Sequence, residues 1–205
     1  MNKKEKADAI TSKLQELYPH PKTPLIYSNP WELYVAVALS AQQTDIGVNK
    51  LTPRLFNKYK TVDDYKNASL EDFENDISSI NLYKGKARAI KKSAEIVTVE
   101  YGGKLPETMD QLLGLPFIGR KTANVILQEA FKKTEGVVVD THVKRLANLL
   151  GLTSHQDPIK IEKDLMELLP KEKWHDFALG LIYYGREYCK SSCKHIECPL
   201  RSYIN

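Results

Sequence analysis

Cysteine is scarce in this chain of 205 residues, which contains three, all within the last seventeen positions. An odd, clustered set argues against the disulfide framework that staples many small secreted domains. Long apolar runs are missing as well, since none reaches the roughly 18 residues that a membrane span needs. The opening residues, MNKKEK, are charged and are not followed by the apolar core of a signal peptide. Together these absences predict a cytoplasmic protein with no membrane partner.

Neither sign of charge dominates the composition. Lys and Arg number 30 against 26 Asp and Glu, which gives a formal net charge of +4 and a sequence pI of about 8.8. A mild basic excess permits nucleic-acid binding without requiring it. The hydrophobic fraction of 42% is sufficient for a packed core, and the length allows one large domain or two small ones.

Signals for β-structure are few, and signals for helices are frequent. The single β-like run, residues 137–139, is too short to force a sheet. Asn29 and Pro30 predict the start of a helix, and its residues 33–39 are apolar on every side, as in the centre of a bundle. A second helix buries one face up to Tyr101, turns Lys86 and neighbouring basic residues to its other faces, and stops at Gly102. Further helices are expected from near 106 to 115, from 120 to about 132, from 143 to 150, around 165–169 and over 177–184. The predicted fold class is all-α.

A tight turn at residues 116–119 joins two of the predicted helices. Pro116 and Gly119 mark a sharp connection, which leaves backbone N–H groups exposed at the positive end of the next helix dipole. Such a helix start binds anions, and a DNA phosphate fits it without sequence readout. On this pattern alone, an ordinary helix–helix turn is the alternative.

Two residues near this turn have the chemistry of an amine nucleophile and its carboxylate partner. Lys121 lies in the first turn of the following helix, where the dipole disfavours a cation. Burial in a pocket would also favour the neutral, nucleophilic amine. Asp140 follows at the start of another helix, where capping is the commoner role. A capping carboxylate that faces the lysine can also accept a proton and stabilise a developing sugar cation. Taken singly, Lys121 is equally explained as a solvated surface residue.

Five motifs occur in order along the chain, and together they resemble the endonuclease III family of helix-hairpin-helix DNA glycosylases. They are LSAQQTD at 39–45 with VNK at 48–50, INLYKGKA at 80–87, LPFIGRKTAN at 115–124, VDTH at 139–142 and YGREYC at 184–189. The resemblance implies a two-lobed, all-helical fold with the DNA cleft between the lobes. One lobe, residues 22–133, would carry the hairpin, and residues 1–21 and 134–205 would form the other.

The resemblance also implies roles for individual residues. Lys121 is the implied Schiff-base nucleophile and Asp140 the implied essential carboxylate. Gln42 and Leu82 match the residues that fill the gap left by a flipped nucleotide; otherwise they are a surface glutamine and a core leucine. The hairpin residues implied to contact DNA are Phe117, Ile118, Gly119 and Arg120.

The implied function is that of a monomeric, bifunctional DNA glycosylase and apurinic/apyrimidinic lyase in base excision repair, associated with the nucleoid. Its partner is double-stranded DNA that carries oxidised pyrimidines or abasic sites. One rival is a non-catalytic helix-hairpin-helix DNA-binding protein, which would need neither Lys121 nor Asp140. A second rival is a monofunctional mismatch glycosylase, and such relatives lack the lysine at position 121.

One departure from the family's pattern lies in the hairpin. Phe117 replaces the first glycine of the family's usual Leu-Pro-Gly-Val-Gly. If this position needs a positive φ, phenylalanine is strained there.

A second departure lies in the C-terminal cysteines. The family usually holds a [4Fe–4S] cluster with four cysteines separated by six, two and five residues. Cys189 and Cys198 match the first and third positions, but the second falls on His195, the fourth falls on Ile204, and Cys193 is out of register. The sequence therefore predicts no cofactor and no metal, with the tail packed through Tyr188, Ile196, Leu200 and Tyr203. If a metal or cluster is present, the ligands are Cys189, Cys193, His195 and Cys198.

Overall fold

The computed structural model describes residues 2–204. Their regular structure consists of α-helices and two short 3-10 helices, with no strand among these residues, so the predicted all-α fold class is confirmed. The α-helices are α1 (Lys3–Leu17), α2 (Pro30–Ser40), α3 (Asp45–Lys58), α4 (Val62–Asn67), α5 (Leu70–Asp76), α6 (Tyr83–Tyr101), α7 (Met109–Leu113), α8 (Arg120–Phe131), α9 (Thr141–Leu149), α10 (Pro158–Leu168) and α11 (Trp174–Glu187).

The chain divides into two compact units. We call Pro24–Lys133 the internal unit, and Met1–Thr23 together with Thr134–Asn205 the terminal unit. The internal unit contains α2–α8, and the terminal unit contains α1 and α9–α11. None of the helices within residues 2–204 combines the length and the apolar character that crossing a membrane requires.

Helix α2 forms the core of the internal unit and packs against α3, α6 and α8. Its predicted start is confirmed, because the Asn29 side chain accepts the Glu32 N–H at 2.9 Å and Pro30 is the first helical residue. Its fully buried side chains include Leu33, Tyr34, Val35 and Leu39. Burial of each of the three aliphatic side chains among them is worth about 1.5–3 kcal/mol, so α2 anchors the loops at both of its ends.

Helix α6 follows the predicted pattern except at one lysine. Its apolar face is buried through Ala87, Ile90, Ala94 and Val97. The helix ends at Gly102, whose φ of 59° is the left-handed conformation that glycine favours. The prediction that Lys86 lies on a polar face is wrong, because Lys86 is only 1% exposed. Its burial is tolerated because the ammonium group donates to backbone carbonyls in the core.

Other helix boundaries depend more on capping than on apolar periodicity. The sequence analysis does not predict α1, α3, α4 or α5. The last two have only six and seven residues. Their starts are set by the side chains of Thr61 and Ser69, which accept backbone N–H groups three residues ahead. Helix α7 begins after its N-cap Thr108 and not near Pro106 as predicted.

In the terminal unit, α11 packs against α1 and α9, and α10 packs against the same two helices. The β-like run 137–139 forms no strand among the described residues. Its three valines are at most 9% exposed, so the run is a buried connection that leads into α9.

Candidate active site and candidate metal centre

The predicted hairpin is formed by α7, the turn 114–119 and α8. Gly119 is the N-cap of α8 and provides no side-chain cap, and the first intrahelical bond runs from the Ala123 N–H to the Gly119 carbonyl at 2.9 Å. The backbone N–H groups before Ala123 therefore have no acceptor within the helix. Ile118 is buried, and its N–H donates to the Leu115 carbonyl, so this residue holds the turn in place.

Lys121 lies on the first turn of α8, and its side chain is exposed. The ammonium group forms no hydrogen bond or ion pair with the described residues of the internal unit. This lysine is therefore not buried in a pocket of the internal unit. The position of the lysine leaves its amine accessible to a substrate that approaches the start of α8.

Phe117 occupies the left-handed region, with φ of 65°. This is the strained conformation expected if a glycine position is filled by phenylalanine, at a cost of about 1–2 kcal/mol. The ring is 62% exposed. Its Cζ lies 3.6 Å from the place of a Cβ on Gly85, so the ring lies beside the first turn of α6.

Gln42 and Leu82 share the same unusual backbone conformation, with φ of 55° and 57°. Both side chains are exposed, Leu82 by 61%. The Asn81 side chain donates to the Gln42 carbonyl at 2.8 Å, so one hydrogen bond joins the loops that carry the two residues. The structure therefore brings the two predicted gap-filling residues into one part of the internal unit.

Lys86 holds the loop that carries Gln42 through hydrogen bonds to the backbone just before it. Its Nζ donates to the carbonyls of Leu39 at 2.8 Å and Ala41 at 2.6 Å, at the end of α2. Burial lowers the pKa of Lys86 from its ordinary value. Sequence reasoning missed this residue and Asn81, because neither spacing nor polarity shows which carbonyls a side chain will reach.

Asp140 belongs to the terminal unit and is the N-cap of α9, as the sequence predicts. Its Oδ1 accepts the N–H groups of both His142 and Val143 at 2.8 Å. Its Oδ2 takes no part in the cap. The cap thus fixes Oδ1, and Oδ2 belongs to the same planar carboxylate.

The imidazole of His142 sits where α9 and α11 approach each other. A Cβ on Gly185 would lie 2.6 Å from His142 Nδ1 and 3.2 Å from His142 Cβ. Glycine at 185 is therefore required for α9 to begin at this place. The motif YGREYC contains this residue, but the sequence alone does not reveal its contact.

The C-terminal tail brings four metal-ligating groups together. They are the thiols of Cys189, Cys193 and Cys198 and the imidazole of His195, whose ligand atoms all lie within 4.8 Å of one another. Cys193 Sγ is 3.2 Å from Cys198 Sγ, and His195 Nδ1 is 3.5 Å from Cys189 Sγ. These four residues can hold a metal ion, and Cys193, out of register in the family's motif, is one of them.

Hydrogen bonds and burial shift the pKa values of two of these thiols in opposite directions. Burial raises the pKa of Cys198 to about 11. The pKa of Cys193 is lowered, first by its hydrogen bond with Cys198 and then by the His195 N–H. Arg145 contributes a guanidinium group 3.5 Å from Cys189 Sγ and also donates to the Cys189 carbonyl.

Sequence comparison identifies related proteins over most of the chain. The model of the HhH-GPD superfamily of base excision DNA repair proteins matches residues 35–171. Endonuclease III of Bacillus subtilis (strain 168) is 45% identical over 192 residues, which cover 93% of this chain and 87% of that protein. Endonuclease III of Escherichia coli (strain K12) is 38% identical over 189 residues, covering 92% and 89%.

Solved structures agree with the sequence comparison. A trapped endonuclease III–DNA covalent intermediate matches with a TM-score of 0.94 and 40% identity, covering 100% of this chain and 97% of that chain. A thermostable thymine-DNA glycosylase matches with a TM-score of 0.87 over 98% and 96% of the chains, but at 22% identity it shows a likeness of fold alone.

The fold and the superfamily match thus define the class, which is that of the HhH-GPD base excision DNA repair proteins. Within that class, the chain belongs to the endonuclease III family.

Proposed function

We propose that this protein is a bifunctional DNA glycosylase and apurinic/apyrimidinic lyase that removes oxidised pyrimidines from duplex DNA in base excision repair. The observation that carries the proposal is an exposed amine, Lys121, on the first turn of α8, in a chain of the endonuclease III family. A relative in that family has been captured as a covalent complex with DNA, which is what an amine nucleophile produces.

In the proposed reaction, the Lys121 amine attacks C1′ of the damaged nucleotide and the bond from C1′ to the base breaks. The sugar ring then opens, which leaves an imine between C1′ and Nζ. Because the imine acidifies the C2′ proton, loss of that proton expels the 3′ phosphate by β-elimination. Water finally hydrolyses the imine and frees the lysine.

Asp140 serves this reaction through the carboxylate that also caps α9. It accepts the proton that the attacking amine loses, and its negative charge stabilises the positive charge that develops on the sugar. The two cap bonds at 2.8 Å both hold Oδ1 of this carboxylate in place. A carboxylate held in this way needs little reorganisation during the reaction.

Gln42 and Leu82 fill the space that the flipped nucleotide leaves. The amide of Gln42 is suited to hydrogen-bond the orphaned base, and the exposed side chain of Leu82 is suited to wedge into the stack. Their left-handed backbones and the shared Asn81 hydrogen bond support this role, since strained residues held by their surroundings are typical of functional sites.

The hairpin binds the DNA backbone. The backbone N–H groups of Gly119 and Arg120, at the start of α8, donate hydrogen bonds to a DNA phosphate. The exposed Phe117 ring lies on the same turn. Ile118 acts by holding that turn from the core. The protein works as a monomer on chromosomal DNA in the cytoplasm.

The proposed chemistry uses no cofactor. It forms and breaks C–N and C–O bonds and moves protons between Lys121, Asp140 and water, without a redox step. The tail is proposed to hold no [4Fe–4S] cluster. The fourth ligand position of the family is Ile204, whose side chain has no atom that can bind iron.

A set of three matched duplexes tests the proposal, carrying thymine glycol, uracil opposite guanine, or an abasic site. Denaturing gels should show strand cleavage without added alkali for thymine glycol and for the abasic site, and an intact uracil strand. Cleavage that appears only after alkali, on the uracil duplex, would identify a monofunctional mismatch glycosylase. Binding without any cleavage would identify a DNA-binding module.

A further inference from the structure

The four donors of the C-terminal tail are arranged for a different metal centre from the one that the family motif specifies. We propose that Cys189, Cys193, His195 and Cys198 bind a single zinc ion in a closed tetrahedral site, in place of a four-iron cluster. Three thiolates and one imidazole are a recognised ligand set of structural zinc.

The separations between the donor atoms support a mononuclear site. Tetrahedral zinc with bonds of about 2.3 Å to sulfur and about 2.0–2.1 Å to nitrogen sets sulfur–sulfur separations of about 3.8 Å and sulfur–nitrogen separations of about 3.6 Å. Cys193 Sγ and Cys198 Sγ are 3.2 Å apart. His195 Nδ1 is 3.5 Å from Cys189 Sγ and 3.8 Å from Cys198 Sγ. A single zinc ion therefore reaches all four donors after small side-chain adjustments.

A four-iron cluster does not fit the same donors. Each thiolate of such a cluster binds a different iron at a corner of the cube, so the ligand atoms stand ~6 Å apart. Here all four ligand atoms lie within 4.8 Å of one another. The family's fourth position, Ile204, also has no donor atom. The tail therefore lacks the spacing for a cluster, and Cys193 and His195 complete a smaller site.

The surroundings of the sulfur atoms suit thiolates bound to a cation. The His195 backbone N–H donates to Cys193 Sγ at 3.2 Å, and the Arg145 guanidinium donates to Cys189 Sγ at 3.5 Å. Three thiolates and Zn²⁺ carry one net negative charge, which the Arg145 cation balances. Outer hydrogen bonds of this kind orient metal ligands and tune their charge.

The proposed zinc ion also accounts for how the C-terminal tail is held in place. The prediction that Ile196 packs onto the preceding helix is wrong, because this side chain is 67% exposed. Tyr188 is 38% exposed but its ring stacks on Tyr184 of α11, with centroids 5.7 Å apart. Cys189, Cys198 and Leu200 are at most 7% exposed. Few apolar contacts fix the loop between Cys189 and Cys198, so the zinc ion supplies the link that packing does not.

Metal analysis of the purified full-length protein tests this proposal directly. We expect about one zinc and no iron per chain after removal of loosely bound metal, with no brown absorbance. Exchange with Co²⁺ should give the intense visible bands of a tetrahedral site and thiolate-to-cobalt charge transfer in the near ultraviolet. Excess chelator should lower the melting temperature by several degrees, since metal bound to the folded state stabilises it.

Two ligand substitutions and one control substitution test which residues bind the zinc. Cys198→Ser and His195→Asn should each lose the zinc, and asparagine suits the positive φ of 58° at position 195. Lys194→Ala, an exposed non-ligand in the same loop, should retain it. About four irons with sulfide, one iron, or a metal-free wild-type protein with three free thiols or a Cys193–Cys198 disulfide would each overturn the proposal. None of these outcomes bears on the chemistry proposed for Lys121, because lyase activity is not the readout.

Discussion

Asp140 is proposed to combine a structural and a chemical role, and substitutions can separate the two. Asparagine keeps an oxygen that can accept both cap bonds and loses the attraction of a carboxylate to the helix dipole, at a cost of about 0.5 kcal/mol. Alanine loses the cap as well, which raises the cost to about 1.5 kcal/mol. For a chain of this length, these costs lower the melting temperature by ~1–2 °C and ~3–6 °C. Both variants should slow base removal by about 10²–10⁴-fold.

Asp157 is a matched control within the same unit. It caps α10 with the same geometry, since its Oδ1 accepts the N–H groups of Ile159 at 3.1 Å and Lys160 at 3.0 Å. Asp157→Asn and Asp157→Ala should therefore repeat the two melting shifts and leave turnover unchanged. Single-turnover excision of thymine glycol, together with thermal unfolding, measures both effects. If Asp140→Asn excises at the wild-type rate, Asp140 is a cap only and the proposed chemistry is refuted.

Three further substitutions test the geometry around the site. Gly185→Ala places a methyl group 2.6 Å from His142 Nδ1 and should lower turnover at least tenfold by displacing the start of α9, whereas Gly180→Ala on the same helix should cost stability only. Phe117→Gly should be more stable than Phe117→Ala by about 1 kcal/mol in thermal unfolding, because glycine tolerates the positive φ. Leu82→Ala should slow excision of a paired lesion more than cleavage at a preformed abasic site, where less unstacking is needed.

For each of these three predictions, one result would contradict it. Equal turnover in the two glycine variants would show that the start of α9 does not position a reacting group. Equal stability of the two Phe117 variants would mean that the backbone at this position carries no strain. If Leu82→Ala slows both substrates alike, the leucine does not act as a wedge.

The sequence predicts several helix ends correctly because capping residues act on neighbours along the chain. Asn29, Gly102 and Asp140 act on backbone groups within a few residues, so their roles are visible in the local pattern. The family motifs likewise locate Lys121 on the first turn of a helix. The hairpin strain at Phe117 is also predictable, since it depends on the conformation of a single residue.

The sequence does not predict features that depend on distant parts of the chain. Lys86 has the spacing of a surface lysine, and only the folded chain shows the carbonyls that it reaches at the end of α2. Cys193 is out of register with the family motif, yet the turn at 190–195 brings it to 3.2 Å from Cys198. The contact between Gly185 and His142 likewise joins residues more than forty positions apart, which no local pattern records.

Covalent trapping with borohydride tests the central claim, that the Lys121 amine forms an imine with the sugar. Wild-type protein incubated with an abasic-site duplex should give a protein–DNA adduct on a denaturing gel, and peptide mapping should place the cross-link on Lys121. Lys121→Gln should bind the duplex with similar affinity and form no adduct, while Lys132→Gln, at the opposite end of α8, should trap normally. Undiminished trapping by Lys121→Gln would contradict the account.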